Sequence, residues 1–204
     1  MARYVGRENV RKRLGPLAGR PGRTVYVDGA VRIETAAETI TVRPPFGLAH
    51  ERIYEHVELE PLFEALARDH LVAALLVRLG GYAVGVFEGE RLVASKVASR
   101  FVKGRHRKGG SSANRFRRRR EEQERALIEA AAETAARVLE PYRGRIEHVA
   151  LGGDRAAAKR VLERLPWLEE KRLPRFFAVP DPRRRELERL PYELYSAEVE
   201  EGTL

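Results

Sequence analysis

Leu71 to Val77 reads LVAALLV, the longest purely apolar run in the chain, and no other stretch limits the fold as much. Seven residues are far too few for a bilayer-spanning helix, which needs about 20. Followed by Gly80-Gly81, the run reads instead as a strand of the buried type, apolar at both parities. "YAVGVFEGERLVASKVASRFV" continues as two alternating segments joined near Glu88-Gly89-Glu90, which makes three sequential strands. A long helical segment from about Asn114 to Leu139 comes next, with Phe116, Gln123, Leu127, Ala131 and Val138 along one stripe. IEHVALGG is then strand, DRAAAKRVLERL helix, KRLPRFFAV strand and DPRRRELERL helix, the last with Asp181 as its expected cap and Pro182 at its first position. A strand meander followed by alternating helices and strands predicts an α/β fold, a mixed sheet with flanking helices.

The residues before the run are of a different kind. Residues 1–23 carry seven basic side chains against Glu8, interrupted by Gly15, Pro16, Gly19, Pro21 and Gly22, and read as a loosely ordered basic arm. Val25 and Val27, a turn at Asp28-Gly29, Val31 and Ile33, then Ile40 and Val42 predict a small antiparallel sheet. A helix opening at Glu60-Pro61 carries Leu62, Phe63 and Leu66 at helical spacing. The 204 residues are therefore expected to divide into a small N-terminal α+β part, residues 1–70, and a larger part, residues 71–204.

Charge narrows the partners. Lysine and arginine number 39 against 30 acids, a formal charge of +9, a balance common in proteins that work on phosphate backbones. The chain has no cysteine, which excludes thiol catalysis, disulfides and cysteine-ligated zinc. The excess concentrates between Lys103 and Arg120, where nine basic residues occur with no acid. Arg115 and Arg117 to Arg120 fall in the first turns of the long helix, where the macrodipole disfavours each cation by about 0.3–1 kcal/mol. Spacing allows Arg117–Glu121, Arg118–Glu122 and Arg120–Glu124 pairs, worth about 0.2–0.5 kcal/mol each and in the weaker orientation. Those pairs leave the remainder of the cluster either as a solvated face or, the favoured expectation, as the contact for a bound phosphate backbone. Lys103, Arg105, His106, Arg107, Lys108, Arg115, Arg118 and Arg119 are accordingly the candidate RNA contacts. Between the two basic bursts lie Gly109-Gly110 and Ser111-Ser112, small enough for a backbone to approach a ligand closely.

"GRHRKGGSSANRFRRRR" resembles the segment around the Gly-Gly-Gln loop of eukaryotic and archaeal class-I release factors, in which Gly-Gly-Gln-Ser-Ala precedes one residue, Arg-Phe and an arginine-rich helix. Gly109, Gly110, Ser112, Ala113, Arg115 and Phe116 match, and Ser111 stands in the glutamine position. "VALGGDRAAAKRVL" is similar to that domain's later strand and helix, so the resemblance covers roughly residues 71–204. Within the superfamily the chain is most similar to the bacterial Vms-like release factors, whose loop has serine directly after the glycines. There Ser111 matches and Ser112 takes the glutamine's place. The resemblance implies an RNase H-like catalytic domain that enters the ribosomal A site. It further implies that the loop Gly109, Gly110, Ser111 and Ser112 meets the ester between peptide and tRNA, where an amide of Ser111 or Ser112 donates to the developing oxyanion or departing hydroxyl. Residues 1–70 are too short and wrongly patterned for the stop-codon-reading domain, so the implied reaction is codon-independent peptidyl-tRNA hydrolysis on stalled or split ribosomes. The implied partners are the large ribosomal subunit, rRNA and peptidyl-tRNA, met by a cytoplasmic monomer with no membrane role.

Two other classes remain open on the residues alone: a noncatalytic rRNA- or tRNA-binding factor, and a nuclease cutting the tRNA 3′ end. A nuclease wants clustered carboxylates, and none assembles from the sequence. His106 sits in the basic cluster, within reach of phosphate or a proton transfer. His50, His56 and His70 lack metal-ligand spacing, and His148 reads as a structural histidine, so no metal site is expected. Gly152-Gly153 belongs to no nucleotide-binding pattern, so no cofactor is expected. Asp154 reads as a helix cap, and Trp167, Phe176 and Phe177 as core anchors.

Overall fold

The computed structural model of the protein describes residues 2–99 and 113–203. They form two compact units, one of Met1–Asp69 with Pro191–Leu204 and the other of His70–Leu190.

In the first unit the expected antiparallel sheet is present as β2 (Arg23–Val27), β3 (Ala30–Glu34) and β4 (Glu38–Arg43), but it is larger than the sequence pattern suggests. Ahead of it lie β1 (Arg3–Gly6) and helix α1 (Arg7–Leu14), and after it β5 (Arg52–Tyr54) and helix α2 (Glu60–Ala67). The N-terminal arm is ordered because its few apolar residues are well placed. Val10 and Leu14 share one face of α1 and are buried with Tyr26, Ile33, Ile40 and Leu62. Its cations are also paired, Arg13 with Glu38 at 2.7 Å and Arg3 with Glu201 at 2.9 Å.

The second unit is built on β6 (Leu71–Arg78), β7 (Gly81–Glu88), β8 (Arg91–Ser99), β9 (His148–Gly153) and β10 (Arg172–Phe177). They lie in the order β10-β9-β6-β7-β8. The first three are antiparallel neighbours, and β9 and β10 join parallel to β6 and to each other. This is the mixed sheet that the meander predicts. β6 lies in the middle, and its seven apolar residues are buried at both parities. On one face Leu71, Ala73, Leu75 and Val77 pack with α3 (Ala113–Leu139) and α4 (Arg155–Leu162) through Leu127, Ile128, Ala131, Ala135 and Val161. On the other, Leu187 of α5 (Arg184–Leu194) lies 3.0 Å from where a side chain at Gly85 would begin.

The sequence reading differs from the structure at the C-terminal end. Residues 191–204, expected with the second part, are grouped with the first unit instead. β11 (Ser196–Thr203) pairs antiparallel with both β4 and β1. Ala197 and Val199 are its buried apolar residues, too few to separate it from a solvated acidic tail by pattern alone. The final helix also starts later than expected, at Arg184. The Asp181 carboxylate is paired with Arg183 at 2.6 Å, and the helical bonds begin from the Arg183 carbonyl, which accepts from Glu186 and Leu187.

Candidate functional site

Two described positions bracket the segment that carries most candidate contacts. β8 ends at Ser99, which pairs with Gly81 at the far end of the meander, and α3 begins at Ala113. Lys103, Arg105, His106, Arg107, Lys108, Gly109, Gly110, Ser111 and Ser112 lie outside the described residues. Arg115, Arg118 and Arg119 lie within them, on the first two turns of α3.

Those turns form an exposed basic stem. The first core residue on α3 is Leu127, fourteen residues after Ala113 and so about 21 Å along the axis at 1.5 Å per residue. Asn114, Arg115 and Arg117 to Arg119 are exposed, and no acid occupies the first turn. Of the three pairings that spacing allows, Arg117–Glu121 is present at 3.8 Å between exposed side chains. Arg120 does not pair with Glu124, because Arg160 of α4 holds that carboxylate at 2.6 Å. Arg120 instead turns partly inward, with its Nε buried and without a hydrogen-bond partner among the described residues. Also among the described residues, Arg115, Arg118 and Arg119 form no ion pair. Three cations thus stand near the positive end of a helix dipole with no ion-pair partner among the described residues, an arrangement that favours an anionic ligand.

The far half of α3 fixes the stem to the sheet. Ala131, Ala132, Ala135 and Leu139 are buried against it, and the Tyr82 and Thr134 hydroxyls share a buried hydrogen bond of 2.9 Å. Arg160–Glu124 and Arg164–Glu129, the latter at 2.9 Å, tie α4 alongside. Asp154 caps α4 as expected, accepting from the Ala157 amide at 2.9 Å.

Gly152-Gly153 has a packing reason. A Cβ at Gly152 would stand 2.8 Å from Leu76 Cδ2 and 2.9 Å from the Phe177 carbonyl oxygen. Gly153 has φ +93°, and a Cβ there would meet the Val77 carbonyl oxygen at 2.2 Å. The pair permits close approach of three strands. Of the aromatic residues, Phe177 is buried and Trp167 and Phe176 pack partly into the core. Cations cover their rings: Arg155 over Phe176 at 4.4 Å, Arg175 over Phe177 at 4.9 Å and Arg143 over Trp167 at 5.2 Å.

The described histidines separate into two kinds. His50 hydrogen-bonds the Tyr54 hydroxyl at 3.1 Å, and His56 lies 3.5 Å from Glu58. The Glu58 carboxyl is held below its usual range, first by the Glu60 amide that it accepts from, with His56 adding to the effect. His70 and His148, which no sequence pattern associates, are brought together beside Glu147. No spacing signal reveals this group, because 77 residues separate His70 from Glu147.

Residues 70–200 match the model of the family described as acVLRF1, the Actinobacteria/chloroflexi VLRF1 release factor. The chain belongs to this VLRF1 release-factor family. The VLRF1 match begins where the second unit begins, at His70, and includes the basic stem and its anchoring helix. Peptide chain release factor subunit 1 of Archaeoglobus fulgidus is 28% identical over 133 residues, covering 63% of this chain. The alignment takes in 33% of that relative, so this VLRF1 chain spans about a third of its length. Among solved structures, the archaeal translation termination factor aRF1 superposes with a TM-score of 0.48 at 17% identity, over 92% of this chain and 54% of the other. A second, described as an archaeal protein, gives 0.42 at 16%, over 90% and 51%. Among the described residues of the VLRF1 chain, no helix is long and apolar enough to cross a membrane.

Proposed function

We propose that the protein is a peptidyl-tRNA hydrolase acting without codon recognition on stalled or split ribosomes in the cytoplasm. The observation that carries this reading is the exposed arginine stem of α3, which directly follows Gly109 to Ser112 in a chain of a release-factor family. In this reading Arg115, Arg118 and Arg119, with Lys103, Arg105, His106, Arg107 and Lys108, contact rRNA and tRNA phosphates in the large subunit. Their contacts set the loop beside the ester of the bound peptidyl-tRNA.

Gly109 and Gly110 let the backbone approach the terminal ribose where a side chain is excluded. Water adds its oxygen to the ester carbonyl carbon, the carbon–oxygen bond to the ribose breaks, and the ribose oxygen takes up a proton. The amide of Ser111 or Ser112 donates to the charge that develops on oxygen, and a serine hydroxyl orients the water. A single preorganised donor of this kind is worth about 10²–10³ in rate.

The test is to substitute Gly109→Ala and Gly110→Ala and to measure single-turnover release beside binding to large subunits. Release is expected to fall at least about a hundredfold with binding retained. Unchanged release removes the loop from the chemistry. Tight binding by the unaltered protein with no release at all leaves a factor that occupies the site without reacting.

A further inference from the structure

The group at the beginning of β6 and β9 has no part in the reading above. His70 immediately precedes β6, and His148 opens β9 in register with Val72 of β6. Val72 is two residues beyond His70, so the two histidines fall on the same face of the parallel pair. Their rings lie 5.0 Å apart between centroids, with planes at 64°. Glu147 reaches into the same place: its Oε2 is 3.1 Å from His70 Nδ1, and its Oε1 accepts from the Leu71 amide at 3.1 Å. One ligand atom from each of His70, Glu147 and His148 lies within 4.8 Å of the others.

We propose that His70, Glu147 and His148 bind one divalent transition-metal ion of the zinc class, tying the start of β9 to the start of β6. Two imidazoles on one tetrahedral ion, with Zn–N of about 2.0–2.1 Å, hold their ring centroids roughly 5 Å apart. The observed separation of 5.0 Å is that distance. The edge of the same tetrahedron, between a nitrogen and an oxygen ligand, is about 3.3 Å, and His70 Nδ1 and Glu147 Oε2 are 3.1 Å apart. The ion takes the place of the hydrogen-bonding proton between these two atoms, which leaves to solvent. Two nitrogens and one carboxylate oxygen suit Zn²⁺, Co²⁺ or Ni²⁺. Ca²⁺ and Mg²⁺ prefer all-oxygen sets, and Cu⁺ prefers sulfur.

The surroundings support the ligands. The Leu71 amide on Oε1 fixes the carboxylate from behind, as outer-shell donors do in metal sites, and the Glu147 amide in turn donates to the Leu71 carbonyl at 2.9 Å. His70 is only 6% exposed, while the Glu147 side chain, 34% exposed, leaves a path for entry. Two cations near it in sequence or contact have partners of their own: Arg145 pairs with Glu88 at 3.1 Å, and Lys171 donates to the Ile146 carbonyl. The eight residues of β6, at about 3.3 Å each, separate this place from the end of the meander where β8 ends at Ser99. Metal binding is thus independent of the hydrolase reading.

The experiment uses the full chain, stripped with chelator and titrated with Co²⁺, following visible d–d absorption and the thermal midpoint. The expected result is one saturable site per chain, displaced by Zn²⁺, with a raised midpoint. His148→Ala and Glu147→Gln should each weaken Co²⁺ at least about tenfold, the lower end for removing even an outer-shell partner. His50→Ala and His56→Ala should leave it unchanged. His148 is half-buried and Glu147→Gln keeps an acceptor for the Leu71 amide, so circular dichroism should show both variants folded. The absence of saturable binding, or binding that survives both substitutions, overturns the proposal.

Discussion

Replacing Arg115, Arg118 and Arg119 together by glutamine tests the basic stem quantitatively. All three are exposed, and none has a carboxylate partner among the described residues. Substitution therefore breaks no ion pair among the described residues. Each phosphate of a single-stranded partner that is no longer neutralised makes the negative slope of log K against log salt shallower by about 0.7. Three such phosphates amount to a slope change of about 2, so affinity should drop roughly a hundredfold at about 0.1 M salt and converge with that of the unaltered protein near 1 M. The assay is binding of labelled protein to large ribosomal subunits over a range of salt, with Arg184→Gln as a control, since that arginine is held by Glu188 at 2.8 Å. Stability gives an internal check. The macrodipole disfavours cations at a helix N-terminus by about 0.3–1 kcal/mol each, so the triple variant should melt no lower than the parent. Parallel salt lines for parent and variant would refute the assignment of these arginines to phosphate.

Two further outcomes concern the scaffold. Gly153→Ala puts a Cβ 2.2 Å from the Val77 carbonyl oxygen at φ +93°. The backbone conformation alone costs about 1–3 kcal/mol and the clash adds to it, so thermal denaturation should show a midpoint lower by several degrees. Gly144→Ala, with nothing within 4 Å of its Cβ, should be nearly neutral. Burial pushes the Tyr26 phenol well above its ordinary value, and its hydroxyl donates to the Glu58 carbonyl at 2.8 Å. Its contribution to stability is then complete below the unfolded value of about 10 and is lost as pH rises above it, because the unfolded chain ionises first. Tyr26→Phe should flatten that alkaline decline while lowering stability at neutral pH by about 1–3 kcal/mol for the unpaired carbonyl; an unchanged alkaline slope would remove Tyr26 as its source.

What can be read in the sequence is local. LVAALLV announces a buried strand, the alternation after Gly81 the two strands that follow it in the meander, and the long apolar stripe α3 almost to the residue, because each pattern lies within a single element. Asp154 as a cap is local in the same way. The misses arise where a distant partner decides. β11 becomes a strand because β4 and β1, far upstream, supply both its neighbours. The arm at residues 3–14 is ordered by Glu38 and Glu201 and by the burial of Val10 and Leu14. The i,i+4 rule assigns Glu124 to Arg120, and a tertiary competitor, Arg160, takes it. For the candidate site, the sequence marks the arginines, while their exposure and their lack of an ion-pair partner among the described residues belong to the fold. The association of His70 with Glu147 and His148 follows from the β6–β9 register, which no spacing in the chain encodes.

The most direct measurement adds the purified protein to large ribosomal subunits carrying labelled peptidyl-tRNA and resolves peptide, tRNA and the tRNA 3′ end on one gel. Free peptide with an intact tRNA 3′ end is the expected result and establishes ester hydrolysis. Peptide still attached to a shortened tRNA fragment, or no change despite binding, contradicts it and makes the protein a nuclease or a noncatalytic occupant of the same site.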